Sequence, residues 1–271
     1  MTGAFSTIKT NVKNQVAHLQ LNRPAQANAI NREMWCELGE AMAWVNDTPD
    51  IRVAVISGEG KHFCAGIDLA MFAELVDDTM SCEGRKREAL REEIVWLQQQ
   101  ISSIDACKKP VLAAIHGACV GGGVDLICAA DMRYSTADAV FSIKEIDVGM
   151  VADVGTLQRL PRLIGDGMLR ELTYTGRDFN GQEAAAIGLT NRCFDSTETM
   201  MQGVLEIANT IAGKSPLGIR GCKQVIRHAR EHSIEEGLDY VATWNAATLV
   251  SDDVRIALKA RQKGEPPVFA D

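Results

Sequence analysis

The alternation of short apolar strand patterns with longer helix patterns most constrains how this chain can fold. The runs "VAVISG" (residues 53–58) and "PVLAAIHG" (residues 110–117) are short, apolar and end in glycine, as buried strands do. Residues 86–104 separate them with a helical spacing of apolar side chains. These apolar positions are Leu90, Ile94, Leu97, Ile101 and Ile104. The alternation predicts an α/β fold.

Further elements extend this pattern in both directions. The segment "VAHLQLN" (residues 16–22) alternates as a half-buried strand, and Asn31 is a predicted N-cap for a helix over residues 32–46. The segments "VDLICAA" and "MRYST" predict another helix and another strand. From about residue 205 only helix patterns remain. We therefore predict an α/β core over residues 1–204 and a helical region over residues 205–271.

Composition and charge exclude several classes of function. The net charge of −8 disfavours nucleic acid and anionic membranes as partners, because both attract basic surfaces. The eight cysteines form no C-x-x-C and have no metal-type pairing with histidine, so we expect reduced thiols and no metal. No signal peptide, transit peptide, peroxisomal tripeptide or membrane-length apolar run is recognised, and the expected location is the cytoplasm.

Two glycine loops, each between a strand and a helix, are the first candidate for a site. They are "CAGIDLA" (residues 64–70) and "GACVGGGVD" (residues 117–125), and neither has the spacing of a nucleotide-binding loop. Glycine lets a backbone approach a ligand closely, and a helix start offers unpaired N–H groups. Facing loops could aim two N–H groups at one oxygen as an oxyanion hole. The alternative is a pair of tight turns whose glycines serve packing.

Three carboxylates among apolar or small neighbours are the second candidate. They are Asp125, Glu145 and Asp153. From the residues alone, each could be a catalytic acid or base, or a helix cap or salt-bridge partner. Three acids in one apolar pocket cannot all ionise cheaply, so at least one pKa should be raised. Asp68 and Asp147 are interpreted as structural.

The order of several motifs resembles the enoyl-CoA hydratase/isomerase family, also called the crotonase family. The matching segments are "LNRPAQANAI", "FCAGIDL", "KPVLAAIHGACVGGGVDL", "IKEIDVGMVADVGTLQRLPRLIG" and "SPLGIRGCKQVI", and the likeness runs from about residue 7 to 268. The resemblance implies a spiral of repeated β-β-α units with a C-terminal α-helical region. It also implies that residues 205–271 serve oligomerisation in a homotrimer or a homohexamer.

The resemblance also implies roles for the glycine loops. The backbone N–H groups of Ile67 and Gly122 would form the oxyanion hole for an acyl-CoA thioester. The implied substrate- and CoA-binding residues are Ala25, Gln26, Ala27, Ala65, Gly66, Ile67, Asp68, Leu69 and Gly122. No cofactor is implied, because CoA is part of the substrate. The helix of residues 86–104 and the loop before it are expected to shape the acyl tunnel, while His62, His116, Cys64 and Cys119 are expected to be core or supporting residues.

The acids distinguish members of the family from one another. Hydratases have glutamate at the positions of Asp125 and Glu145 and typically glycine at the position of Asp153. The set found here resembles the family's isomerases of 3,5-dienoyl-CoA, which form 2,4-dienoyl-CoA during fatty acid β-oxidation. Glu145 and Asp153 would transfer protons at carbons 2 and 6. Asp153 at carbon 2 is slightly favoured, and the opposite assignment stays open.

Two other functions stay open as alternatives. The first is a 2-enoyl-CoA hydratase, although the side chain of Asp153 would occupy space that the added water needs. The second is a non-catalytic relative that binds CoA thioesters or RNA, and the complete acid set and the negative charge disfavour it.

Overall fold

A computed structural model of the chain describes residues 5–71 and 82–270, and it contains two sheets in that part of the chain. The larger sheet has six strands, of which the first two are antiparallel and the others parallel. In spatial order these strands are β1 (Ile8–Lys13), β2 (Val16–Leu21), β3 (Val53–Gly58), β4 (Val111–Ile115), β6 (Met132–Thr136) and β9 (Arg192–Phe194). The smaller sheet consists of β5 (Ala118–Val120), β7 (Val140–Ser142) and β8 (Phe179–Asn180). The predicted α/β class is confirmed.

Ten helices of the described residues surround the sheets. The helices of the first part of the chain are α1 (Arg32–Asp47), α2 (Glu83–Ala106), α3 (Gly122–Ala129), α4 (Thr156–Arg159), α5 (Asp166–Thr175) and α6 (Gly181–Ala186). The last four are α7 (Thr197–Ala212), α8 (Pro216–Ala229), α9 (Ile234–Thr248) and α10 (Asp252–Lys263). Short 3-10 turns occur at Pro24–Gln26, Lys144–Val148 and Leu160–Arg162. None of the described helices is long and apolar enough to cross a membrane.

Strand β3 lies within the large sheet, and residues 53–56 at its start are all apolar and buried. Ala54 and Ile56 face a core that also includes the buried side of α1. Val53 and Val55 face the opposite side, where Val204 of α7 packs. Because both faces of the strand are covered by helices, no position in it can be polar without a buried partner.

The two halves of helix α2 differ in burial. Leu97, Ile101 and Ile104 are buried in the core, as their spacing predicts. Leu90 is 39% exposed, and Ile94 is half-buried. Both line a cavity instead of packing in the core. Residues 72–81 of the loop before α2, also expected to shape the acyl tunnel, lie outside the described residues.

The C-terminal helices bury few side chains within the chain. Helix α9 has no buried residue, and α10 buries only Ala260. In contrast, α7 packs on the sheet with Met200, Val204 and Ala208. The division between residues 204 and 205 falls inside this helix, so the division into a core and a separate helical region stays a prediction.

Asn31 connects the sequence pattern of α1 to its stability. Its side-chain oxygen accepts the backbone N–H of Met34 at 3.0 Å, as an N-cap does. We expect Asn31→Ala to lower the free energy of unfolding by about 1 kcal/mol, because one N–H of the first turn loses its partner. Urea denaturation measures this change. Glu40→Ala, on the exposed side of the same helix, is the control, and an equal loss in both variants contradicts the cap's role.

Candidate active site

The two glycine loops predicted from the sequence lie side by side and are joined by backbone hydrogen bonds. The amide of Cys64 donates to the carbonyl of Ala118 at 2.9 Å, and the amide of Val120 donates to the carbonyl of Cys64 at 3.0 Å. Both Cys64 and Cys119 are fully buried beneath this contact. The Nδ1 atom of His62 accepts the Ala118 amide at 3.1 Å, so this histidine supports the loop, as expected.

The contact brings the two predicted oxyanion donors together. Ile30 bonds to the carbonyl of Gly66 and to the amide of Asp68, so the amide of Ile67 between them points away from Ile30. Gly122 is the first residue of α3, where an amide has no partner within the helix. A Cβ atom added to Gly122 would lie 3.6 Å from the Ile67 nitrogen. The two amides are therefore close enough to serve one oxygen atom.

Both loops border a cavity of about 250 Å³ that also holds all three predicted acids. The apolar part of its wall includes Leu90 and Ile94, the two side chains of α2 that are not buried in the core. The complete lining is Trp35, Ile67, Leu90, Ile94, Leu97, Gly122, Asp125, Glu145, Met150, Asp153 and Val154. Three carboxyl groups thus face one largely apolar space beside two backbone amides that have no partner among residues 5–71 and 82–270.

Asp125 is held at the base of this cavity. It lies in the first turns of α3 and is 1% exposed. Its Oδ1 atom accepts the amide of Thr156 at 2.6 Å, and among the described residues its buried Oδ2 atom has no hydrogen-bond partner. A buried oxygen without a partner is costly, which is typical of a group that acts on a ligand.

Glu145 lies on the 3-10 turn Lys144–Val148, opposite the glycine loop. Its Oε2 atom is buried and has no partner in the described part of the chain. A Cβ atom added to Gly121 would lie 3.2 Å from its Oε1 atom. Gly121 also has a φ of +52°. Glycine at this position therefore permits both the turn into α3 and the approach of the glutamate.

Asp153 lies in the segment between the 3-10 turn Lys144–Val148 and α4 and is half-buried. Its backbone carbonyl oxygen accepts a hydrogen bond from Nε2 of Gln98, at 2.6 Å between the two atoms. This bond joins the segment to α2. The residue borders the apolar cavity and also a second, larger and more polar cavity on its other side. Of the three acids, Asp153 alone lies at this boundary.

Burial changes the acidity of all three groups. It raises the pKa of Asp125 to about 6, against the opposing hydrogen bond from Thr156. Burial, reinforced by the charges of Asp125 and Asp153, raises the pKa of Glu145 to about 7. Burial also raises the pKa of Asp153. As predicted, the acids cannot all be ionised cheaply, and the site can hold a protonated and an ionised carboxyl at the same pH.

The predicted CoA-binding loops run next to each other. The amide of Ala65 donates to the carbonyl of Ala27 at 3.0 Å, and Ala25 and Gln26 are exposed on the adjoining 3-10 turn. The side chain of Asp68 bonds to the Arg23 guanidinium at 2.8 Å. Asp68 therefore fastens one loop to the other through its side chain.

Several residues of the site escaped the sequence interpretation. Trp35 and Met150 line the cavity, and Thr156 and Gln98 fix the positions of two acids. Trp35 is four residues after the N-cap of α1 and is buried. Such contacts join elements that are distant in sequence, so helical periodicity gave no signal for them.

The comparisons with known proteins agree with this geometry. Residues 11–271 match the family model described as "Enoyl-CoA hydratase/isomerase". A peroxisomal delta(3,5)-delta(2,4)-dienoyl-CoA isomerase of Arabidopsis thaliana is 47% identical over 97% of this chain and 95% of its own length. A mitochondrial protein of the same name from Mus musculus is 44% identical over 93% of this chain and 77% of its own length.

Among solved structures, an enoyl-CoA hydratase from Bacillus anthracis superimposes with a TM-score of 0.89 at 29% identity, covering 98% of this chain and 99% of the other. The chain belongs to the enoyl-CoA hydratase/isomerase family. The resemblance to the dienoyl-CoA isomerases of that family, inferred from the motifs, is confirmed by these relatives.

The cytoplasmic location expected from the sequence is contradicted by the same relatives. The Arabidopsis protein is peroxisomal and the mouse protein is mitochondrial. The expectation depended only on the lack of a recognisable targeting segment. That reasoning was wrong, because such an absence carries no information about where a protein of this family resides.

The raised pKa of Glu145 has a consequence for stability that depends on pH. Its ordinary value is 4.5, so folding disfavours ionisation between that pH and about 7. The stability that protonated Glu145 contributes to the fold is therefore fully present below pH 4.5 and is lost as the pH rises through 7. We expect Glu145→Gln to reduce the loss of unfolding free energy between pH 5 and pH 8 by on the order of 2 kcal/mol.

Urea denaturation at the two pH values measures this difference. Asp147→Asn is the matched control, because Asp147 is exposed two residues away on the same turn. Identical pH dependence in the wild type and in Glu145→Gln would show that Glu145 is not buried with a raised pKa.

Proposed function

We propose that this protein is a dienoyl-CoA isomerase that converts 3,5-dienoyl-CoA to 2,4-dienoyl-CoA in the β-oxidation of unsaturated fatty acids. The observation that carries the proposal is the set of three carboxyl groups in one apolar cavity beside the backbone amides of Ile67 and Gly122. The Arabidopsis and mouse relatives, which bear the name of this activity, support it.

The thioester oxygen binds to the amides of Ile67 and Gly122. Both amides are fixed by the backbone before substrate arrives, so they need no rearrangement as negative charge develops on that oxygen. Loss of the proton at carbon 2 gives a dienolate whose charge extends from the oxygen to carbon 6. Stabilising the oxygen therefore stabilises the whole conjugated anion.

Asp153 accepts the proton from carbon 2, and Glu145 donates one to carbon 6. The C2–H bond breaks, and its electron pair forms the double bond between carbons 2 and 3. The π pair of carbons 3 and 4 moves to carbons 4 and 5. The π pair of carbons 5 and 6 forms the new C6–H bond with the proton of Glu145, whose O–H bond breaks. The two carboxyl groups thus exchange protonation states in each turnover.

The environments of the two acids favour this assignment over its reverse. Burial raises the pKa of Glu145 to about 7, so near neutral pH this group can carry the proton that carbon 6 requires. Asp153 borders a polar cavity and is only half-buried, so its ionised form is better solvated. Asp125, buried between the loops, supplies the charge that helps to keep Glu145 protonated.

The rival hydratase function is less consistent with the cavity. A hydratase must hold a water molecule between its two acids. Here a third acid, Asp153, enters the space, and the remaining wall is largely apolar, with Trp35, Ile94 and Met150. Transfer of a proton along a conjugated chain requires no water in the cavity. Binding of RNA is disfavoured by the net charge of −8.

We expect Glu145→Gln and Asp153→Asn each to lower kcat for 3,5-dienoyl-CoA by at least about 10²-fold, because each removes one proton-transfer group. Growth of 2,4-dienoyl absorbance in the ultraviolet measures the reaction. Asp147→Asn, outside the cavity, should keep a rate within about twofold of the wild type, as for most exposed substitutions.

The same assay separates the two enzyme functions. Wild-type protein mixed with a 2-enoyl-CoA should consume little of its absorbance. Consumption of the 2-enoyl-CoA without any conversion of the dienoyl-CoA would establish a hydratase and would refute the isomerase. A variant of Glu145 or Asp153 with nearly wild-type kcat would refute the role of that residue alone.

The C-terminal helices support a further proposal, that the protein assembles as a homotrimer or homohexamer. Ile234, Leu238, Val250 and Leu258 are large apolar residues that are exposed in the single chain. So many exposed apolar side chains on one region are typical of a surface that another chain covers.

We expect light scattering to give a particle of three or six chain masses. Leu238→Asp should shift this towards the single chain, because a buried charge without a partner is costly. Asp239→Asn, at the neighbouring exposed position, should leave the mass unchanged. A monomeric wild-type protein would contradict the proposed assembly.

A further inference from the structure

A second cavity, with a volume of about 480 Å³, adjoins the apolar cavity. Its wall is polar and includes Gln98, Ser102, Gln158, Arg159 and Arg162. Asp153 and Val154 border both cavities. The carboxyl-bearing residue Asp153 therefore lies in the partition between an apolar space for the acyl chain and a polar space beside it.

The polar cavity extends from the surface of the chain to this partition. Gln158, Arg162 and Arg230 at its rim are exposed, whereas Cys128 and Gly155 deeper in its wall are buried. A space of this size with several polar groups can hold water. Water that enters from the rim can therefore reach Asp153 without passing the acyl chain.

Arg159 is fixed in the wall of this cavity. Its Nη2 atom donates to the Ser102 hydroxyl at 2.9 Å, and its guanidinium packs against Gly155, where any side chain would collide with it. Two other cations of the wall, Arg227 and Arg230, pair with Asp105 at 3.7 and 3.1 Å. Arg159 thus places a fixed positive charge in the wall of the polar cavity.

The proposed reaction requires such a route. After one turnover Asp153 is protonated and Glu145 is ionised, which is the reverse of the starting state. The enzyme must restore both groups before it can act again. A direct return of the proton from Asp153 to Glu145 would cross the apolar cavity, whose wall offers few polar groups between them.

We propose that Asp153 returns its proton to water through the polar cavity. This inference rests on the proposed function. The O–H bond of Asp153 breaks, and a water molecule in the polar cavity takes the proton. Glu145 takes a different proton from water once the product has left. The hydrogen delivered to carbon 6 is therefore derived from solvent and not from carbon 2 of the same substrate molecule.

Wild-type protein provides the first test. A 3,5-dienoyl-CoA labelled with deuterium at carbon 2 is converted in ordinary water, and carbon 6 of the product is examined by mass spectrometry and NMR. We expect less than about one tenth of the product to carry the label at carbon 6, because exchange with solvent water dilutes any returned proton. Label at carbon 6 in most of the product overturns the proposal.

A variant that fills the cavity provides the second test. Ser102→Phe places a ring in the polar cavity without changing a residue of the acyl cavity. We expect kcat to fall about tenfold while kcat/KM stays within about twofold, because restoring the acids follows product release. Gln99→Phe, exposed on the same helix and outside both cavities, should change neither constant.

An unchanged kcat, or equal falls in kcat and kcat/KM, overturns the route. If Ser102→Phe does not fold, Gln158→Phe at the rim of the cavity replaces it, with the same expectations. The labelling test stays decisive in either case, since it uses wild-type protein. If no 2,4-dienoyl-CoA forms at all, the proposed function fails; if it forms with label carried to carbon 6, only the proton route fails.

Discussion

The structure depends above all on the backbone contact between the two glycine loops. Cys64 bonds through both its amide and its carbonyl to the segment that begins α3. This contact sets the direction of the Ile67 amide and places it beside the amide of Gly122. It also places Asp125, three residues further along α3, under the same cavity. The amides of Ile67 and Gly122 and one of the acids therefore share a single local geometry, which the buried cysteines beneath it support.

The acids of the site oppose the stability of the fold. Burial raises the pKa of Asp125, Glu145 and Asp153, so the ionised forms cost free energy at neutral pH. The two buried oxygens without partners, Oδ2 of Asp125 and Oε2 of Glu145, add to this cost. The apolar core, with β3 covered on both faces, has to offset it. The same burial that destabilises the carboxylates permits one acid to be protonated while another is ionised.

The sequence predicted those parts of the fold and site that local patterns encode. The boundaries of β2, β3 and α1, including the cap at Asn31, follow from periodicity and turn chemistry. The acids and the glycine loops were found because polar and glycine residues interrupt apolar runs. The apolar spacing of α2 did not separate its core positions from Leu90 and Ile94, which line the cavity, since both kinds of position follow the same helical period. The contacts of Thr156 and Gln98 with the site depend on tertiary packing and could not be predicted from spacing.

The bridge between Ile30 and the loop of Gly66 and Asp68 links recognition to reactivity. The loop that carries Ala25 to Ala27 continues directly into Ile30, and the amide of Ala65 bonds to the carbonyl of Ala27. On the proposed function, the part of the chain that holds the CoA moiety and the part that holds the thioester oxygen form one hydrogen-bonded ladder. Binding energy gained at the nucleotide end of CoA can therefore help to hold the amides of Ile67 and Gly122 in position at the thioester. A substrate in which a small thiol replaces CoA would accordingly be converted more slowly as well as bound more weakly.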